Sequence, residues 1–129
     1  MNPLQLLQTE LDNLLFDDGV HVYWQRKAES DHPEEYVVYA LNGDASAFSA
    51  DDSSQASNTG MTVRYYYRND LLDNYESRIK IQDRVFLLVD ALRNTECFAV
   101  SGAFDIGMMD ETGYAATDIE LSYVRKTDD

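Results

Sequence analysis

MTVRYYYR, Met61 to Arg68, alternates two kinds of side chain. Met61, Val63, Tyr65 and Tyr67 fall on one side of an extended chain, and Thr62, Arg64, Tyr66 and Arg68 on the other. A period of two residues with one apolar side marks a strand that buries a single face. Upstream, YVVYALN (Tyr36–Asn42) reads as a second strand. The stretch between them, GDASAFSADDSSQASNTG from Gly43 to Gly60, is a largely polar segment rich in Asp, Ser and Ala. Strand connections beyond roughly 12–15 residues are uncommon in a small domain unless they are functional or disordered. The strands therefore raise a question about what the segment between them is for.

Outward from this pair the pattern continues. Asn2-Pro3 opens a helix, with Asn2 as cap, Pro3 at the first helical position and Gln5 three residues after the cap. Leu4, Leu7, Leu11, Leu14 and Leu15 share its apolar face, and Gly19 is placed to end it in a left-handed conformation. Val20–Trp24 reads as a short strand with Val20, Val22 and Trp24 on one side, followed by a polar connection, Gln25 to Glu35. Asp73 is expected to begin a second helix, with Glu76 as its capping partner. Ile81, Val85, Leu88, Val89 and Leu92 form its buried stripe, and Arg78, Lys80, Asp83, Arg84, Asp90 and Arg93 its wetter faces. Phe98, Val100, Gly102, Phe104, Ile106 and Met108 then alternate with Ala99, Ser101, Ala103 and Asp105 as a long strand. A turn at Asp110–Gly113 leads into a return strand, with Asp118, Glu120 and Ser122 on its polar side. The order predicts an α+β fold over residues 1–129: a two-layer sandwich with a mainly antiparallel sheet of four to five strands. Two helices pack on one face, and the long loop lies between strands 2 and 3.

The chain of 129 residues carries 24 acidic and 10 basic side chains, a formal charge of −14. Residues 1–58 hold 11 acids against 2 bases, and residues 59–129 hold 13 against 8. Such a surface repels nucleic-acid phosphate and argues against ordinary DNA or RNA binding. A single cysteine, Cys97, excludes an internal disulfide and suits a reducing compartment. The longest apolar runs fall far short of the roughly 18 residues a membrane span needs. The start, MNPLQLLQTELD, lacks the features of a secretory signal, so the expectation is a soluble, intracellularly made protein.

Residue types that carry chemistry are sparse. His21 and His32 are eleven apart and form no paired metal-ligating motif. Cys97 sits between a helix end and an apolar strand, the setting of an inert thiol. Asp51-Asp52-Ser53 begins like a calcium loop, but Ala56 and Thr62 stand where the EF-hand pattern wants Gly and Glu. No glycine spacing matches a phosphate-cradling loop. The reading is therefore not an enzyme, with no catalytic residue, metal or cofactor assigned. What remains is the outer Arg64–Tyr66–Arg68 face, built from residue types that protein interfaces favour.

The succession YVVYALNGD, long loop, MTVRYYYRND, amphipathic helix and the closing GAFDIGMMDETGYAATDIELSYVR resembles the tail-completion proteins of long-tailed bacteriophages, also called tail terminators or head–tail joining (minor capsid) proteins. The likeness covers the order of elements over roughly residues 1–125. It implies a virion structural protein at the tail–head junction, made in the host cytoplasm. Copies would form a ring, commonly a hexamer, that ends the tail tube and meets the tube protein and the head-closure or connector proteins. Genomic DNA would pass through an acidic bore without specific binding, and no membrane would be involved. On this view residues 44–59 form an arm that orders on a neighbour. Acids of the N-terminal half would line the bore, and the arginines would face neighbouring subunits or the outside. The interface set is Asp44, Phe48, Asp51, Asp52, Arg64, Tyr66, Arg68, Arg78, Arg84, Met109 and Tyr114. A different class also fits the charge: an acidic mimic of DNA that blocks a nucleic-acid-binding enzyme. Against it, ten basic residues interrupt the acids.

Overall fold

A computed structural model describes residues 2–27, 32–42, 58–109 and 112–124. The elements are helix α1 (Pro3–Leu15), strands β1 (His21–Trp24), β2 (Glu35–Leu41) and β3 (Asn58–Arg68), helix α2 (Tyr75–Asn94), and strands β4 (Phe98–Met109) and β5 (Tyr114–Val124). The strands form one sheet in the order β1-β2-β3-β5-β4. All pairs are antiparallel except β1 with β2, which run parallel with His21 beside Tyr36. With both helices on one face, this is the α+β two-layer sandwich the alternation predicted.

Local chemistry explains the helix starts. Asn2 Oδ1 accepts from the Gln5 amide at 2.8 Å, and Gln5 Oε1 accepts from the Asn2 amide at 2.9 Å. This reciprocal box satisfies two amide donors that a helix N-terminus otherwise leaves unpaired. A 3-10 turn, Phe16–Asp18, extends the end of α1, and Gly19 closes it at φ +69°. The second helix starts one residue later than the spacing suggested. Asn74 is its cap, accepting from the Ser77 amide at 3.1 Å, while Asp73 belongs to a preceding 3-10 turn, Asn69–Asp73.

The core lies between the helices and one sheet face. Leu7, Leu11 and Leu15 of α1 and Leu88 of α2 are fully buried against Val37, Met61, Val63, Tyr65, Ile119 and Leu121. Helix α1 packs on β1 and α2, whereas α2 reaches across to β4. The two helices thus occupy opposite flanks of the helical layer.

Four sequence expectations need correction. Trp24 is 54% exposed rather than inside with Val20, because β1 is a short edge strand and Trp24 projects beside the first turn of α1, next to Leu4 and Tyr39. The alternation along β4 breaks twice, between Val100 and Gly102 and between Asp105 and Gly107. Each bulge inserts one residue and reverses which side chains face the core. Phe104 and Ile106 therefore turn outward, 49% and 41% exposed, and Gly107 adopts φ +91° at the second bulge. Asp118, expected on the solvated side, is 8% exposed. Arg84, expected on a wet helix face, is likewise buried at 8%.

Candidate protein-interaction surface

The sheet face opposite the helices carries the alternate set of side chains, arranged by register into cross-strand rows. One row runs His21, Tyr36, Tyr66 and Ala116; the next runs Tyr23, Val38, Arg64, Asp118 and Phe104. Cross-strand neighbours sit about 4.5–5.5 Å apart, so large rings in one row must stack. Tyr36 and Tyr66 do so, with ring centroids 4.5 Å apart and planes within 12°. Tyr114 meets Tyr36 edge-on at 5.2 Å, and Tyr23 meets it edge-on at 6.0 Å. The Lys27 ammonium lies 5.9 Å from the Tyr36 ring centroid. Edge-to-face and offset pairs of this kind each add about 0.5–1.5 kcal/mol beyond area burial. Burial pushes the Tyr36 phenol well above its ordinary ionisation range, and the neighbouring Tyr66, Tyr114 and Tyr23 push it further.

Arginines frame the rings. Arg64 grips Asp118 with two bonds, Nε to Oδ1 at 2.6 Å and Nη2 to Oδ2 at 3.0 Å. The fork geometry suits a planar guanidinium and fixes both side chains. Arg64 remains 38% exposed while Asp118 is nearly covered, so the cation is presented and the anion hidden. Arg68 Nη2 donates to the His32 carbonyl at 2.8 Å, and the Tyr114 hydroxyl donates to the Pro33 carbonyl at 2.6 Å. These two bonds tie the end of the β1–β2 connection over one margin of the aromatic cluster. The result is an ordered surface on which the partly exposed Arg64, Tyr66 and Arg68 overlie the buried Tyr36 and Tyr114 rings.

Of the expected interface residues, this face brings together Arg64, Tyr66, Arg68 and Tyr114. Arg78 lies elsewhere, exposed on α2 with its guanidinium 5.8 Å from the Tyr75 ring centroid. Arg84 is a correction: its side chain is committed inside the fold, with Nη1 donating to Asp18 at 2.8 Å and Nε to Glu35 at 2.9 Å. Glu35 also accepts from the Tyr65 hydroxyl. Burial opposes the Arg84 charge, but Asp18 and Glu35 more than offset it, and the guanidinium in turn holds the Asp18 carboxyl below its ordinary range. Asp44, Phe48, Asp51 and Asp52 lie outside the described residues, and Met109 is described only as backbone at the end of β4. Asn58 and Thr59, expected in the arm, instead open β3, paired with Val124 and Tyr123.

The sequence reading missed Tyr36 and Tyr23 as members of the cluster. YVVYAL is apolar on both sides, so alternation alone cannot say which side meets helices. Only the register against Tyr66 settles it. Among the described residues, no group of three or more His, Cys, Asp and Glu side chains is arranged to hold a metal ion. No helix among them is long and apolar enough to cross a membrane. Neither a known protein-family pattern nor a curated protein matches the chain.

Proposed function

We propose that this chain is a structural assembly subunit of the tail-completion kind. Copies form a ring that ends a phage tail tube and joins it to the head-closure proteins, while DNA passes through without being held. The observation that carries the reading is the helix-free sheet face, where the partly exposed Tyr66, Arg64 and Arg68 stand in fixed positions, backed by the buried rings of Tyr36 and Tyr114. Large rings and forked cations that are ordered before binding lose little freedom on association, which is how interface anchors act. A formal charge of −14 supports the second part, because carboxylates offer passing phosphate no counter-charge. The resemblance in element order from α1 to β5 supports the particular role.

The test is electron microscopy of tail particles assembled with and without this chain. Tubes of uncontrolled length, or finished tails that fail to join heads, are expected in its absence. Normal tails joined to heads without it overturn the reading. The variant Tyr66→Asp, which places a charge on the stack, should behave like the omission while the monomer stays folded.

A further inference from the structure

Phe16 is the most exposed large apolar side chain described, 82% open to solvent at the C-terminal end of α1. Its surroundings have an unusual sign. Asp12 and Asp17 flank it, and the last turn of α1 carries no basic residue. A helix C-terminus already bears partial negative charge, so carboxylates there are electrostatically misplaced unless a cation comes from elsewhere. Asp18 has one within the chain, Arg84; Asp17 beside it is exposed.

On the other flank of the helical layer, α2 overhangs β4 and β5 and leaves a groove of about 800 Å³. Its floor is apolar, formed by Val85, Val89, Ala103 and Ala115, and Phe86 stands on its lip 68% exposed. Arg78 and Arg93 border it from the two ends of α2. Its acids are Asp90 on the rim and Asp105, which accepts a hydrogen bond from Thr117. The charges in the groove balance, on a chain whose acids otherwise outnumber its bases by more than two to one.

Phe16 cannot fill the groove of its own chain. It adjoins Asp18, which bonds Arg84, and at 100° per residue the groove-lining positions Gln82, Phe86 and Arg93 lie roughly half a helical turn from Arg84. Helix α2 stands between the two.

We propose that the Phe16 knob of one copy seats in the α2–β4 groove of a second copy, with its flanking Asp17 meeting Arg78 or Arg93 on the rim. Knob and groove are different surfaces on opposite flanks, so the contact is head-to-tail, the type that closes a ring when its rotation allows. The inference rests on the assembly reading above and names the surfaces by which copies of the chain join.

Sedimentation equilibrium of four samples tests it: the native chain, Phe16→Asp, Ala103→Trp, and an equimolar mixture of the two variants. Phe16 and Ala103 are both exposed, and circular dichroism checks that each variant folds as the native chain does. The native chain is expected to self-associate. Each variant alone should associate about a hundredfold more weakly, the scale of one lost buried Phe side chain. The mixture should form one-to-one pairs and nothing larger, since one variant keeps the groove and the other the knob. Native-strength association of either variant, a mixture that stays monomeric, or a native chain that is monomeric up to its solubility limit overturns the inference. None of these outcomes decides whether the chain ends phage tails, which the microscopy above measures separately.

Discussion

Replacing Arg84 with Met should destabilise the fold, although the residue lies on a helix and carries a charge. The side chain is 9% exposed and bridges Asp18, half exposed, and Glu35, 22% exposed. It thereby joins α2 to the 3-10 turn that follows α1 and to β2. Methionine fills much of the same volume, so the loss is chiefly electrostatic. Removing one member of a fully buried ion pair costs about 3–5 kcal/mol. The Asp18 half is exposed and screened and adds little, whereas Glu35 is left partly buried with only the Tyr65 hydroxyl donating to it. A net cost of about 2–3 kcal/mol follows. That is a fall in Tm of about 8–10 °C for a chain of this length. Arg84→Lys should lose about half as much, because a single ammonium cannot reproduce the Nε and Nη1 fork. Glu35→Gln combined with Arg84→Met should be less costly than the sum of the single changes, since the uncompensated carboxylate is gone. The acid limb follows from Asp18, whose pKa in the fold lies below the usual 3.8. Its contribution is present above that ordinary value and lost as pH falls through the lowered one, so the gap between native and Arg84→Met proteins should narrow there. Thermal melts by circular dichroism read all of this. A Tm for Arg84→Met within about 2 °C of native, a loss well under 1 kcal/mol, would refute the bridge as a stabilising element.

Other expectations follow from the same geometry. The phenols of Tyr36, Tyr39, Tyr65 and Tyr67 are raised above 10, burial being the largest cause in each. Their contribution to stability is complete below pH 10 and lost as pH rises through the higher values, so ultraviolet titration should show these four ionising together with alkaline unfolding; nine independent titrations near pH 10 would contradict this. Arg64→Leu strands the nearly covered Asp118 carboxylate and should cost about 1.5–3 kcal/mol in urea melts, whereas pairing it with Asp118→Leu should recover most of the loss. Leu88→Ala, at a site with no exposure, should cost about 3 kcal/mol by the same assay; a loss under about 1 kcal/mol would mean the core is looser than described.

Where one residue type answered to one local rule, the sequence was sufficient. The Asn2–Gln5 box, the left-handed Gly19 and the inward Met61, Val63, Tyr65 and Tyr67 all follow from spacing, because capping and alternation are short-range effects. Errors arose where a distant partner overrode the local pattern. Arg84 looks like a wet-face residue until Asp18 and Glu35 arrive from other elements to neutralise it. Asp118 looks solvated until Arg64 closes over it from the neighbouring strand. In β4 the alternation reads as unbroken along the sequence, because where the strand bulges is set by register against β5. The candidate face was half legible: Arg64, Tyr66 and Arg68 announce an outer surface, while Tyr36 joins them only through strand pairing.

On the proposed reading the chain is built into a particle and does its work there. Quantitative mass spectrometry of long-tailed virions purified from cells that make this chain measures this directly. A fixed, small copy number per virion, matching one ring, is the expected result. Virions that are complete and infectious yet contain none of this polypeptide would contradict the account.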